Sequence, residues 1–170
     1  MTIREIRLFG DPVLTSRAVE VTEFDDSLAT LINDMLETMD DASGVGLAAN
    51  QIGVLRRVFV FDCSHTEDGL RGHIINPTWE PVTEETQTGP EGCLSIPDIR
   101  ADVTRYNSVK LTGVDLNGNS VTIMASGLMA RCIQHETDHL DGQLFIRKLE
   151  PSDRKTAMAH IRNSEWFNRT

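Results

Sequence analysis

Apolar residues first fall into a helical rhythm between residues 28 and 39. Leu28, Leu31, Ile32, Met35, Leu36 and Met39 stand at i, i+3, i+4, i+7, i+8 and i+11, which makes one stripe along a helix. Asp25 or Ser27 can cap its start, and Ser43-Gly44 ends it. Such a helix covers a core and carries no chemistry. The rhythm then shortens. Val54 to Phe61 is rich in Val and Phe, and Gly72 to Pro77 holds the pair Ile74-Ile75. Val109 to Leu116 and Val121 to Met124 flank Asn117-Gly118-Asn119, a hairpin signal. A second helix is predicted from about Ser126 to Asp141, with Gly142 at its C′ position. The segment from Pro151 reads as polar and weakly helical. Helix, several strands, then helix favours an antiparallel α+β fold over a βαβ repeat.

The 170 residues fit one domain, 1–170, with residues 151–170 as a C-terminal tail. A chain of this length buries a core without disulfides. Charge narrows the partners. The 16 Lys+Arg face 26 Asp+Glu, a net charge of −10, so DNA and other nucleic acids are not expected as the main ligand. The tail departs from this balance, with Arg147, Lys148, Arg154, Lys155, Arg162 and Arg169 against Glu150, Asp153 and Glu165. The three cysteines, Cys63, Cys93 and Cys132, are too few and too odd in number for a disulfide framework. They suit a reducing compartment, and Cys63 reads as a half-exposed thiol in a polar loop. The charged N-terminus has no apolar signal region, and no stretch is apolar enough to span a bilayer. A cytoplasmic protein with no membrane partner is expected.

Chemistry concentrates on the second helix, in His135-Glu136-Thr137-Asp138-His139. Two histidines at i and i+4 share one face and can bind one metal, while the glutamate between them reaches a water at that metal. The metal acidifies the water, and the glutamate takes its proton and passes it to the leaving group. The alternative is coincidence, since a short pattern recurs by chance. Catalytic zinc-type sites add a third protein ligand and leave a position open. A third histidine three residues beyond Gly142 would define one class of such enzymes, but Phe145 stands there. Glu150 and Glu165 are downstream carboxylate candidates. Cys132 shares the histidine face, yet lies seven residues from His139, roughly 10 Å along the axis. Ligand bonds of about 2.0–2.3 Å cannot bridge that span, so Cys132 is expected beside the site.

Cys93 remains, in Glu91-Gly92-Cys93-Leu94-Ser95-Ile96-Pro97. Gly92 and Pro97 suggest a rigid bend able to present a thiolate. Its alternative is a buried structural thiol. A third segment, Gly44-Val45-Gly46-Leu47-Ala48-Ala49-Asn50-Gln51, loosely matches a dinucleotide loop. That loop needs a preceding strand, and a helix precedes this one. Glycine backbone can instead lie against an extended substrate. Gln51 offers an amide donor of the kind that stabilises an oxyanion, or is an ordinary polar side chain.

Together the three segments resemble the motifs of the peptide deformylases: G-x-G-L-A-A-x-Q at residues 44–51, E-G-C-L-S at 91–95 and Q-H-E-x-D-H at 134–139, in the family's order. The resemblance covers nearly residues 1–150. It implies antiparallel sheets packed around a central metal-binding helix, with an N-terminal helix and a short C-terminal one. It implies removal of the N-formyl group from the initiator methionine of new polypeptides. Cys93, His135 and His139 would hold one divalent metal, Fe(II) in the cell, with zinc, nickel or cobalt as substitutes. Glu136 would be the general acid/base, and the Gln51 side chain and Leu94 N–H would hold the oxyanion. Gly46 would pair with the substrate backbone. Val45, Leu128 and Cys132 would line the methionine pocket, and Arg100 would stand near the substrate path. Arg131 would sit beside the pocket helix or be a solvated arginine. Because the substrate emerges at the ribosome, the basic tail is a candidate ribosome contact, with a solvated surface helix as the alternative. The rivals are an endopeptidase using a downstream glutamate and a non-enzymatic metal or redox module.

Overall fold

A computed structural model describes residues 2–169. The first helix, α1 (Asp26–Asp41), forms where the apolar stripe predicts it. The Asp25 carboxylate caps it by accepting from Leu28 N at 3.0 Å. Leu28, Leu31, Ile32, Met35 and Met39 are buried, each worth about 1.5–3 kcal/mol over exposure. Asp34 and Thr38 are buried too, because the N-terminal segment lies along α1 and satisfies them. Asp34 accepts from Thr2 N at 2.9 Å and Arg4 Nε at 2.8 Å, and Thr38 accepts from Arg4 N at 2.8 Å.

The strands are β1 (Gly46–Ala48), β2 (Val58–Asp62), β3 (Arg71–Pro81), β4 (Thr86–Cys93), β5 (Ile96–Tyr106), β6 (Ser108–Val114) and β7 (Ser120–Ser126). Every strand pairing is antiparallel, in a five-stranded sheet of order β1-β2-β3-β6-β7 and a separate β4–β5 ribbon. The run Val58–Phe61 is apolar throughout because both faces of β2 are covered. Val58 and Val60 pack with α1, whereas Phe59 and Phe61 pack with the second long helix, α2 (Gly127–Leu140). The α+β reading and the antiparallel sheets around a central helix are therefore as expected.

Several boundaries differ. Residues 54–57 do not extend β2. Gly53 takes φ +80°, Val54 N turns back to Ala49 O, and Arg57 N bonds Val19 O instead of a strand partner. β3 runs past the expected Pro77 to Pro81, through an irregularity at Asn76, whose amide accepts from Val21 N and donates to Val21 O. The polar tail is a packed helix, α3 (Pro151–Arg162), followed by a short turn, α4 (Glu165–Asn168). Ala157 and Ile161 anchor α3 against Ile99 and Val103 of β5 and the Phe145–Lys148 turn.

Candidate metal centre and substrate cleft

Helical spacing sets His135 and His139 one turn apart on α2, with their Nε2 atoms 3.1 Å from each other. The β4–β5 hairpin supplies the third donor. Its two-residue turn, Leu94-Ser95, is closed by the pair Cys93 and Ile96. Cys93 thereby brings Sγ to 3.3 Å from His139 Nε2. The three donor atoms lie within 4.8 Å of one another, and among the described residues they are the grouped His, Cys and acidic donors that could hold a metal. Glu150 and Glu165 are not among the residues that line the cleft, and Glu165 pairs with Arg169. Cys132 is not one of the grouped donors; its thiol donates to Val45 O at 3.5 Å. Cys63 is not half-exposed. The Cys63–Thr66 turn folds the polar loop over it, and it packs in the same core cluster as Cys132.

A buried charge network fixes the histidine pair. His135 Nδ1 donates to Glu91 Oε1 at 2.5 Å, which turns Nε2 toward the other donors. Glu91 also accepts from Arg105 Nη2 at 2.6 Å and from Arg131 Nη1 at 2.7 Å. Arg105 reaches on to Asp138 at 2.7 Å. Burial would raise the Glu91 carboxyl, but His135 and Arg105 hold it far below the usual range. Burial likewise opposes charge on His135, yet Cys93 and Glu91 raise it well above its ordinary value. Burial and the neighbouring His135 drive His139 well below. A thiol and two imidazoles thus converge with one imidazole proton already committed outward. That donor set fits a divalent cation and leaves an open position.

Glu136 follows His135 and turns into the same space. It is 4 % exposed, one carboxylate oxygen has no protein partner, and burial pushes its carboxyl up to about 7. Opposite it, Gly46 admits no side chain: a Cβ there would lie 2.7 Å from Glu136 Oε1 and 2.8 Å from Cys132 Sγ. Gln51 is held by Ala48 N, which donates to its Oε1 at 2.9 Å. Its Nε2 then faces Ser95 Oγ at 3.2 Å and Cys93 Sγ at 3.6 Å.

These groups open onto a cleft of about 780 Å³ between β1 and the β4–β5 hairpin. Val45, Gly46, Gln51, Cys93, Leu94, Arg100, Leu128, Cys132, His135 and Glu136 all line it, and His139 lies behind them. Sequence reasoning left Arg131 between pocket side and solvent; it is 7 % exposed and braced by Glu91 and Val103 O. Reasoning from the chain missed Arg105, Asp138 and Ser95 and assigned Glu91 no role. Glu91, Ser95 and Asp138 had a signal, their places in the E-G-C-L-S and Q-H-E-x-D-H segments; Arg105 had none.

Known proteins match this arrangement along the chain. The family model of polypeptide deformylases matches residues 3–155. Peptide deformylase 1 of Corynebacterium efficiens is 69 % identical over 169 residues, covering 99 % of this chain and 100 % of that protein. The peptide deformylase of Acidothermus cellulolyticus is 52 % identical, covering 100 % and 92 %. The crystal structure of peptide deformylase from Ehrlichia chaffeensis in complex with actinonin superposes with a TM-score of 0.89 at 35 % identity, covering 100 % of both chains. Both the family match and these full-length relatives span the three segments that form the cleft, and on that ground the chain belongs to the polypeptide deformylase family.

Proposed function

We propose that Cys93, His135 and His139 hold one divalent metal and that Glu136 moves the protons in hydrolysis of the N-formyl group from N-formylmethionyl peptides. Deformylation of such peptides is the family's known function, and it is metal-dependent. The observation that carries the residue-level reading is Glu136: a buried carboxyl near pH 7 in its proton affinity, with an unpartnered oxygen, beside three converging donors. A metal there would supply Lewis acidity, polarising the formyl carbonyl and acidifying a water at the open position. Glu136 accepts the proton of the attacking water and returns it to the leaving amine. Gln51 Nε2 and Leu94 N–H hold the developing oxyanion, and Gln51 is pre-aimed by Ala48. The Gly46 backbone pairs with the peptide. Val45, Leu128 and Cys132 receive the methionine side chain, and Arg100 stands at the cleft beside the peptide's path.

The metal in the cell is read as Fe(II), with zinc, nickel or cobalt in a purified sample; thiolate and imidazole donors suit all four. The whole chain is read as one catalytic domain acting in the cytoplasm, where formylated chains are made. No helix of the described residues is long and apolar enough to cross a membrane. The exposed Arg154, Lys155 and Arg162 on α3 support a contact with the ribosome, tested by co-sedimentation with and without residues 151–170. The central test is an anaerobic assay on formyl-Met-Ala-Ser beside its acetylated analogue. Rapid formate release with the acetyl peptide intact is expected. Equal cleavage of both, or of neither, overturns the reading.

A further inference from the structure

Arg131 does more than the proposed mechanism asks of it. It stands on α2 between Leu128 and Cys132 and one turn before His135, so it shares the wall that faces the side-chain pocket. Its Nη1 is spent on Glu91 Oε2 at 2.7 Å and Val103 O at 3.0 Å. Nε and Nη2 make no hydrogen bond, and neither is among the sealed unpartnered atoms of the protein. Nη2 lies beside Gly89, where a built Cβ would stand 3.8 Å from it. No side chain at that position covers the guanidinium edge. The charge is balanced behind it by Glu91 and fixed there, so the edge is a pre-aimed donor on an otherwise apolar wall.

A wall of Val45, Leu128 and Cys132 alone would reject a polar side-chain end, because an unpaired acceptor loses its water there. A charged donor on that wall reverses the preference for a strong acceptor of the right length. We propose that Arg131 is a specificity-determining residue whose free edge hydrogen-bonds an acceptor at the end of the leading side chain, so that the site deformylates peptides beginning with N-formylmethionine sulfoxide as well as N-formylmethionine. The inference rests on the proposed seating of that side chain against Val45, Leu128 and Cys132. The bond hydrolysed is unchanged; only the side chain differs, by one oxygen on sulfur.

The test compares kcat/KM for formyl-Met-Ala-Ser, the two resolved sulfoxide epimers of that peptide, and formyl-norleucine-Ala-Ser. Metal-loaded wild type, R131M and R131K are assayed by formate release. In the wild type the better sulfoxide epimer falls within about tenfold of the methionine peptide. R131M widens that gap by about tenfold or more, the worth of one charge-assisted bond. R131K, which keeps a cationic donor, restores part of it. Calorimetric binding of the deformylated product peptides follows the same order. A purely structural role would lower every substrate together, so a sulfoxide-to-methionine ratio within about threefold of wild type in R131M overturns the proposal. If R131M fails to fold, the wild type alone decides: rejection of both epimers by more than about a hundredfold overturns it. No turnover of formyl-Met-Ala-Ser defeats the functional reading itself, whereas turnover of that peptide with rejection of the sulfoxides defeats this inference alone.

Discussion

Replacing Glu91 with glutamine tests the buried network more directly than replacing a metal donor. Glu91 is 5 % exposed at its side chain, and its cationic partners Arg105 and Arg131 are 5 % and 9 % exposed. Glutamine has nearly the same shape as the glutamate it replaces, so packing stays constant. The change removes one negative charge from between two guanidiniums and replaces one acceptor oxygen with an NH2 that faces a donor. Breaking a buried ion pair from one side costs about 3–5 kcal/mol. Arg105 keeps Asp138 at 2.7 Å, which places the expected loss near the lower end of that range. His135 also loses the carboxylate that orients its Nδ1–H, and metal affinity should fall about 10- to 100-fold. Urea unfolding of the metal-free protein reads the first effect, and competition with a chromophoric chelator reads the second. Cys93→Ala is the control: it should abolish tight metal binding with a far smaller loss in the metal-free chain, because the thiol is outside the ion-pair network. A Glu91→Gln variant destabilised by less than about 1 kcal/mol, with metal affinity within twofold of wild type, would refute the reasoning.

Other expectations follow from single contacts. Glu136→Gln should retain metal content and lose turnover by about 10²–10⁴-fold, read by parallel metal analysis and formate release. Gly46→Ala drives a Cβ against Glu136 Oε1 and Cys132 Sγ, so activity should drop by about 10²-fold for an overpacking cost of about 1–3 kcal/mol in unfolding experiments. At Asp34, burial works to raise the carboxyl, but the bonds from Arg4 and Thr2 N leave it below its ordinary value. A depressed carboxylate stabilises the fold above its unfolded pKa, about 3.9, and loses that contribution as pH falls through the folded value. Wild type should therefore exceed Asp34→Asn in stability at pH 7, and the gap should close as pH drops below about 4; a constant gap in pH-dependent melting would count against the assignment.

What the chain made legible follows from where its side chains are buried. α1 buries one face and β2 buries two, so periodicity or a solid apolar run marks them, whereas α2 is buried on nearly every side and was marked by its histidine spacing and the Gly142 stop. β4 and β5 left no such mark. They form a two-stranded ribbon whose outward positions, such as Thr86, Thr88 and Asp102, sit against a small inward set of Ile96, Ile99 and Val103. β1 is three residues long, too short for any period to register. Cys63 was misplaced for a related reason: its neighbours Ser64 and His65 are polar, but backbone turns, not composition, decide that the loop closes over it.

The site divides along the same line. His135, Glu136 and His139 were readable because a helix converts spacing into geometry, and Cys93 became readable through the resemblance of E-G-C-L-S to the deformylase motif, since Glu150 and Glu165 had stayed open as third ligands. Arg105 and Arg131 were not, because their reason for burial lies elsewhere in the chain. Arg131 sits 40 residues from Glu91, and Arg105 sits 33 from Asp138. Neither spacing has a period, and each arginine alone reads as a surface residue. Burial of Arg131 is intelligible only once Glu91 is placed beneath it, and Glu91 is tolerable in the core only because two arginines and His135 converge on it. The network is thus specified by the tertiary fold that it helps to hold. The same fold sets Arg131 on the lining of the cleft with only Nη1 paired, which is why a residue buried for structure is proposed as a recognition residue too.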